Sequence, residues 1–175
     1  MIVIVGESGC GKTATANHLM LKCGYKRTIT YTTRFPRIGE VDGVDYHFLT
    51  KEEFLTKQKE NFFAETSVNE KGDYYGTARE DCTNDRIIVV NPQGLRALRR
   101  CADIDITAFY ICVPRRDRII KALQRGDDID TVYQRSLSDM GEYKGITDDV
   151  DFIINNEDYR YDVNTVANII MSSMT

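Results

Sequence analysis

Proline and histidine are both scarce in this chain, with three prolines and two histidines in 175 residues. So few prolines leave no stretch that reads as an interdomain linker, and no repeat or low-complexity tract divides the sequence. No long apolar run is present either. The first, Met1-Ile-Val-Ile-Val5, lacks a basic segment before it and is far shorter than the roughly 20 residues a membrane span needs, so no targeting or transmembrane segment is visible. The five cysteines, Cys10, Cys23, Cys82, Cys101 and Cys112, are odd in number and never spaced C-x-x-C. That pattern fits neither a disulfide framework nor a zinc site and points to a reducing, cytoplasmic compartment. Positive charge is not in excess: 23 Lys+Arg against 27 Asp+Glu leave a net charge of −4, which argues against nucleic acid and anionic membrane as partners. Any bound anion must therefore be held by a local cluster. What remains, 42% hydrophobic and 29% charged residues, suffices for one compact globular domain.

Strand-like and helix-like segments alternate, the pattern of an α/β fold. Ile2–Val5 is a β-branched run of strand length, followed by Ala16, Leu19, Met20 and Cys23 at helical spacing. Arg86–Val90 reads as a second buried strand, closed by Asn91-Pro92 and followed by a helix carrying Leu95, Leu98 and Ala102. Ile106–Val113 repeats the theme, with Pro114 opening a helix that carries Ile119, Ile120 and Leu123. Phe152–Ile154 reads as a third internal strand, and Val163, Val166, Ala167, Ile170, Met171 and Met174 form the apolar stripe of a last helix. Continuously apolar strands joined by helices predict a parallel sheet covered on both faces. Between residues 34 and 80 the texture changes to turns and aromatics. Thr50 and Glu53 have capping-box spacing, and Phe62–Val68, a Lys71-Gly72-Asp73 turn and Tyr74-Tyr75 predict a small antiparallel sheet, read as an insertion on the main one.

The join after the first strand carries the chemistry. Gly6-Glu7-Ser8-Gly9-Cys10-Gly11-Lys12-Thr13 matches G-x-x-x-x-G-K-[ST] between a buried strand and an amphipathic helix. Glycines let backbone N–H groups curl around phosphate oxygens, and the helix N-terminus adds its positive dipole end. Gly6, Ser8, Gly9, Cys10, Gly11, Lys12, Thr13 and Ala14 are the predicted ATP-binding residues. Lys12 reaches the β- and γ-phosphates, and the Thr13 hydroxyl is the predicted Mg²⁺ ligand. Cys10 fills a variable position as a passive small residue.

A second constellation follows. Arg34 and Arg37, stiffened by Pro36, present two planar forks to one anion, and Tyr46 adds a hydroxyl donor. With the phosphate loop, Thr33-Arg34, Pro36-Arg37, Gly39-Glu40, Asp42-Gly43 and Asp45-Tyr46-His47-Phe48 resemble the nucleotide-monophosphate signature of the guanylate kinase family. The resemblance continues through Tyr74-Tyr75-Gly76-Thr77, Gln93-Gly94, Arg125-Gly126 and Ile154-Asn155, so it spans nearly the whole chain in order. It implies a P-loop kinase three-layer fold: a core (1–33, 81–120 and 145–175), a GMP-binding subdomain (34–80) and a mobile lid (121–144).

By the same resemblance Arg34, Arg37, Tyr46 and Tyr75 hold the GMP phosphate, and Glu65 reads guanine with Thr30 and Thr77 as hydroxyl partners. Chemistry supports Glu65 independently, because guanine offers two adjacent N–H donors that a carboxylate accepts in a bidentate way, whereas adenine presents an acceptor there. Arg125 and Arg135 match the family's lid arginines, with Gly126 as hinge and Asp127, Asp128 and Asp130 solvating the open lid. A further lid cation is either Arg118 or Lys121, and Asn155 falls at the adenine contact. Catalysis of this kind needs no histidine base, so Lys12, Arg34, Arg125 and Arg135 are the expected catalytic set. One departure stands out: where the family usually carries Asp, this chain has Val89 and Asn91. That exchange bears on the metal and on how strictly guanine is preferred, and it keeps a kinase for another nucleoside monophosphate as the alternative. A non-catalytic protein-binding relative of the family is the second alternative. The expected activity is transfer of the ATP γ-phosphoryl group to GMP or dGMP with Mg²⁺, by a monomer or homodimer.

Overall fold

The computed structural model describes residues 1–37, 39–69, 71–101 and 104–174. In chain order its elements are β1 (Ile2–Val5), α1 (Lys12–Cys23), β2 (Lys26–Arg27), β3 (Tyr31–Thr32), β4 (His47–Phe48), α2 (Lys51–Lys59), β5 (Phe63–Val68) and β6 (Tyr74–Ala78). They continue with β7 (Arg86–Val89), α3 (Pro92–Arg99), β8 (Thr107–Cys112), α4 (Arg115–Gln124), α5 (Ile129–Glu142), β9 (Phe152–Asn155) and α6 (Val163–Ser172).

Five strands form one parallel sheet in the order β2-β7-β1-β8-β9. The two-residue period of a strand decides which layer each side chain joins. Ile2 and Ile4 of β1 pack with Ile87, Phe109 and Ile111 against Leu19 of α1 and Ile170 of α6. Val3 and Val5 turn the other way, to Ile88, Ala108, Leu95 and Leu98, so α3 covers the opposite face. All four residues of β1 are buried, which is why the central strand reads as an unbroken apolar run.

Four other strands make a second, mixed sheet in the order β4-β3-β6-β5, parallel between β3 and β4 and antiparallel elsewhere. Its core is aromatic: Phe54 stacks on Phe63, and Tyr31 meets Phe62 and Phe63 edge-on. Gly76 fits because a Cβ there would lie 2.9 Å from the Phe63 ring. The capping box is present, with Thr50 Oγ1 accepting from Glu53 N–H and the Glu53 carboxylate accepting from Thr50 N–H.

Several expected faces are corrected. On α1 the buried residues are Thr15, Ala16 and Leu19, whereas Met20 and Cys23 are exposed. One step beyond Leu19 is a turn of about 100°, enough to carry Met20 off the narrow contact stripe. On α4, Ile120 and Leu123 are exposed and the buried side chain is Arg118, because polar partners beneath the helix claim it. β9 is an edge strand with Phe152 and Ile153 partly exposed, so its apolar run does not mark an internal position. Met174 lies past the end of α6, and Ala102 lies outside the described residues. Among the described residues no helix is long and apolar enough to cross a membrane, and no disulfide joins any of the five cysteines.

Candidate active site

The phosphate loop leaves the carboxyl end of β1. Gly11 is the N-cap of α1 at φ +100°, a left-handed conformation that favours glycine, and no side chain caps the helix start. Lys12 Nζ lies across the loop, donating to Gly6 O at 2.6 Å and to Glu7 O at 3.0 Å. Cys10 is buried, and burial pushes its thiol up, so it is a protonated, inert packing group.

The loop is held from behind by groups that local sequence spacing does not reveal. Asp139 of α5 accepts from Ser8 N–H at 3.0 Å and from Ser8 Oγ at 3.3 Å. The buried Arg118 guanidinium donates to Asp139 at 3.0 Å and to Ser8 O at 3.1 Å. Tyr143 donates to Gly6 O at 2.6 Å, and Tyr110 donates to Glu7 Oε1 at 2.9 Å. Of the two candidates for a further lid cation, Arg118 is thus committed beneath the loop, while Lys121 is exposed with its ammonium 5.4 Å from the Tyr159 ring centre.

Facing the loop is a cleft of about 840 Å³, within the ordinary range for ligand pockets. Its lining includes Ser8, Gly9, Lys12 and Thr13 of the loop and helix start together with Thr30, Arg34, Arg37, Tyr46, Glu65, Tyr75, Asn91 and Arg135. Arg34 makes a two-pronged pair with Glu40, both oxygens at 3.0 Å, and lies over the Tyr46 ring at 5.3 Å. Burial raises the phenols of Tyr46 and Tyr75, so both are neutral hydroxyls. The Arg135 guanidinium is pushed down, by burial first and then by the positive charge of Arg37. Cations gathered in this way favour an anion between them.

Glu65 is the most unusual group in the cleft. It is 7% exposed and sits on β5 opposite Thr77 of β6, whose hydroxyl donates to Oε1 at 2.6 Å. Oε2 is buried without a hydrogen-bond partner among the described residues. Desolvation raises the carboxyl to about 7 despite the Thr77 bond. A carboxylate oxygen left in that state costs free energy unless a ligand donor reaches it. Ser67, two residues along the same strand and so on the same face, also lines the cleft with an unpartnered hydroxyl. Sequence reading passed over Ser67, and only its strand phase relative to Glu65 could have signalled it.

Other expected residues lie outside this lining. Thr77 acts through Glu65, and Gly6, Cys10, Gly11 and Ala14 shape the loop or begin its helix. Arg125 pairs with Asp127, which also attracts Arg135 at 3.9 Å, and it borders a separate hollow of about 30 Å³ beside Ser8 and Gly9. Asp128 caps α5 through Thr131 N–H, so two of the aspartates expected to solvate the lid have structural partners. Asn155 ends β9, where its carbonyl accepts from Arg160. Asn91 does line the cleft, but it also caps α3, with Oδ1 accepting from Gly94 N–H, and its amide donates to Glu142 Oε1 at 2.8 Å. Among the described residues no group of three or more His, Cys, Asp or Glu side chains could by itself hold a metal ion.

Comparison with known proteins bears on the family and the fold. A family model described as guanylate kinase matches residues 1–173. A guanylate kinase from Wolinella succinogenes is 31% identical over 187 residues, covering 100% of this chain and 85% of the relative. One from Desulfotalea psychrophila is 32% identical over 167 residues, covering 90% and 81%. Among solved structures, guanylate kinase from Anaplasma phagocytophilum matches with a TM-score of 0.72 at 20% identity, over 99% of this chain and 83% of that one. The parallel sheet layered between helices is the P-loop kinase arrangement, and that structural likeness speaks to fold alone.

Proposed function

The chain belongs to the guanylate kinase family, and from that premise we propose that it transfers the γ-phosphoryl group of ATP to GMP, and to dGMP, releasing ADP and GDP or dGDP. The observation that carries this reading is Glu65, a buried carboxylate with one unpartnered oxygen in the same cleft as the phosphate loop. Guanine N1–H and N2–H are the adjacent donors such a group lacks. Adenine would set a ring acceptor against it, and a site with stranded polar groups rejects the wrong ligand by about 10⁴-fold or more.

Two polyanions must be aligned end to end, so their charges need neutralising. The loop amides and Lys12 receive the ATP phosphates, and Lys12 must first exchange the Gly6 and Glu7 carbonyls for phosphate oxygens. Arg34 and Arg37, with the Tyr46 and Tyr75 hydroxyls, receive the GMP phosphate. Arg135 and, on closure, Arg125 stabilise charge on the transferring group. The donor set suits Mg²⁺, since Thr13 would supply a hydroxyl beside Lys12, and substrate phosphates and water would supply other oxygens. Held through the Thr13 hydroxyl, Mg²⁺ would supply positive charge that offsets the charge of the phosphates.

Residues 34–80 and 121–144 serve as the GMP-binding and lid bodies that close on the core, with the Gly126 turn at φ +91° as the hinge. Asn155 lies where the adenine is taken. The odd number of cysteines and the lack of C-x-x-C spacing support a reducing compartment such as the cytoplasm. The test is Glu65→Gln assayed with GMP and AMP. The GMP-over-AMP preference in kcat/KM should fall by about 10- to 150-fold, the order of one charge-assisted hydrogen bond, with KM for ATP unchanged. An unaltered preference would place the base reader elsewhere.

A further inference from the structure

In P-loop proteins the Mg²⁺ accompanying the nucleotide is held by the loop Ser/Thr and by an Asp from a strand next to the loop. Here β7 is a parallel neighbour of β1, in register from Ile2 with Ile87 to Ile4 with Val89, and it leads into Val89, Val90 and Asn91 with no carboxylate. Asn91 brings no negative charge to the strand end. Its Oδ1 is engaged by Gly94 N–H at 2.8 Å, and that bond fixes the amide so that Nδ2 points at Glu142 Oε1, also 2.8 Å away. Glu142, the last residue of α5, reaches the strand end from 51 positions along the chain. The next residue, Tyr143, fastens this end of α5 to the loop by donating to Gly6 O at 2.6 Å. Lys12, Thr13, Asn91 and Glu142 all line one cleft.

We propose that Glu142 is the carboxylate that serves the Mg²⁺ of the bound ATP in this chain, and that Asn91 positions it. The proposal rests on the kinase reading of the cleft and adds a residue to it. Mg²⁺ keeps several of its waters and takes only one or two protein carboxylates, so a single acidic side chain lining the same cleft as Thr13 fits its demand. The basic residues of the cleft cannot accept hydrogen bonds from metal-bound water, whereas a carboxylate can. Two other carboxylates near the loop serve the loop itself: Asp139 holds Ser8 and Arg118, and Glu7 holds Tyr110 and, at 3.7 Å, Arg118. Asn91 brings Glu142 a neutral amide, which orients the carboxylate without adding a countercharge.

The test compares the parent protein, Glu142→Gln and the double variant Asn91→Asp/Glu142→Gln. Mn²⁺ binding to the enzyme–ADP complex is followed by the loss of the free Mn²⁺ resonance signal, beside KM for GMP and the melting temperature. Glu142→Gln should weaken Mn²⁺ binding about 10-fold, the usual cost of losing a group that supports a metal's ligands, and leave KM for GMP unchanged. The double variant returns a carboxylate to the strand end, where it can still cap α3 and accept from the introduced glutamine amide, and it should recover most of the affinity. Parental Mn²⁺ binding in Glu142→Gln, or a raised KM for GMP in its place, would overturn the proposal. So would failure of the double variant to recover at a parental melting temperature. If the parent itself neither binds ADP nor turns over GMP, it is the kinase reading that fails.

Discussion

Glu65 ties acidity, stability and selectivity to one side chain. Its folded-state value of about 7 exceeds that of an ordinary Glu, so the folded protein binds more protons than the unfolded chain between roughly pH 4.5 and 7. Stability from this group is therefore lost as pH rises through that window, by on the order of 3 kcal/mol at full ionisation. Glu65→Gln removes the loss, and its melting temperature should exceed the parent's at pH 8 and converge with it near pH 5. Guanine needs the ionised form, so GMP binding in the parent should weaken about tenfold between pH 8 and pH 6, and Glu65→Gln should flatten that dependence. Calorimetric titration of GMP at the two pH values checks both. Beneath the loop, Arg118 and Asp139 form a second decisive pair, both buried. Asp139→Ala strands a guanidinium and should cost about 3–5 kcal/mol in chemical denaturation. Adding Arg118→Met should recover much of it, as expected when a buried ion pair is replaced by apolar groups.

At the scale of elements, local chemistry and long-range packing separate cleanly. The α2 capping box spans four residues, and Thr50 with Glu53 announced it; Thr50→Ala should lower stability by about 1 kcal/mol, read from urea denaturation. β1 was equally legible, since a strand buried on both faces must be apolar throughout. The phosphate loop showed in its spacing because its glycines and Lys12 act within eight residues. The buried face of α4 was not legible. Arg118 goes inward because Ser8 and Asp139, 110 and 21 positions away, converge on it, and no periodicity within the helix encodes those partners. β9 misled for a related reason: an apolar composition records burial against one layer and does not reveal which strand ends the sheet. In the cleft, Arg34, Arg37, Tyr46, Glu65 and Tyr75 were found through their motif, whereas Ser67 and Glu142 depend on strand phase and on the return of a distant helix.

For the molecule as a whole, the net charge of −4 concerns distribution more than sum. Setting Lys12, Arg34, Arg37, Arg125 and Arg135 aside from the 23 basic residues leaves 18 against 27 acidic ones, a balance of −9 for the remainder. The cleft lining itself mixes basic side chains such as Lys12, Arg34, Arg37 and Arg135 with acidic ones such as Glu40, Asp45, Glu65 and Asp139, so attraction for phosphate is local to the individual cations. Lys12 lines that cleft from the phosphate loop, and Lys12→Met should abolish turnover while leaving the melting temperature within a few degrees of the parent's. The central claim, a kinase that reads guanine, is tested most directly by ADP release from ATP and Mg²⁺ with GMP, dGMP, AMP, UMP and TMP compared side by side. The account predicts turnover with GMP and dGMP and a kcat/KM for AMP lower by about 10⁴-fold. Comparable rates with AMP or a pyrimidine monophosphate, or no turnover with GMP, would contradict it.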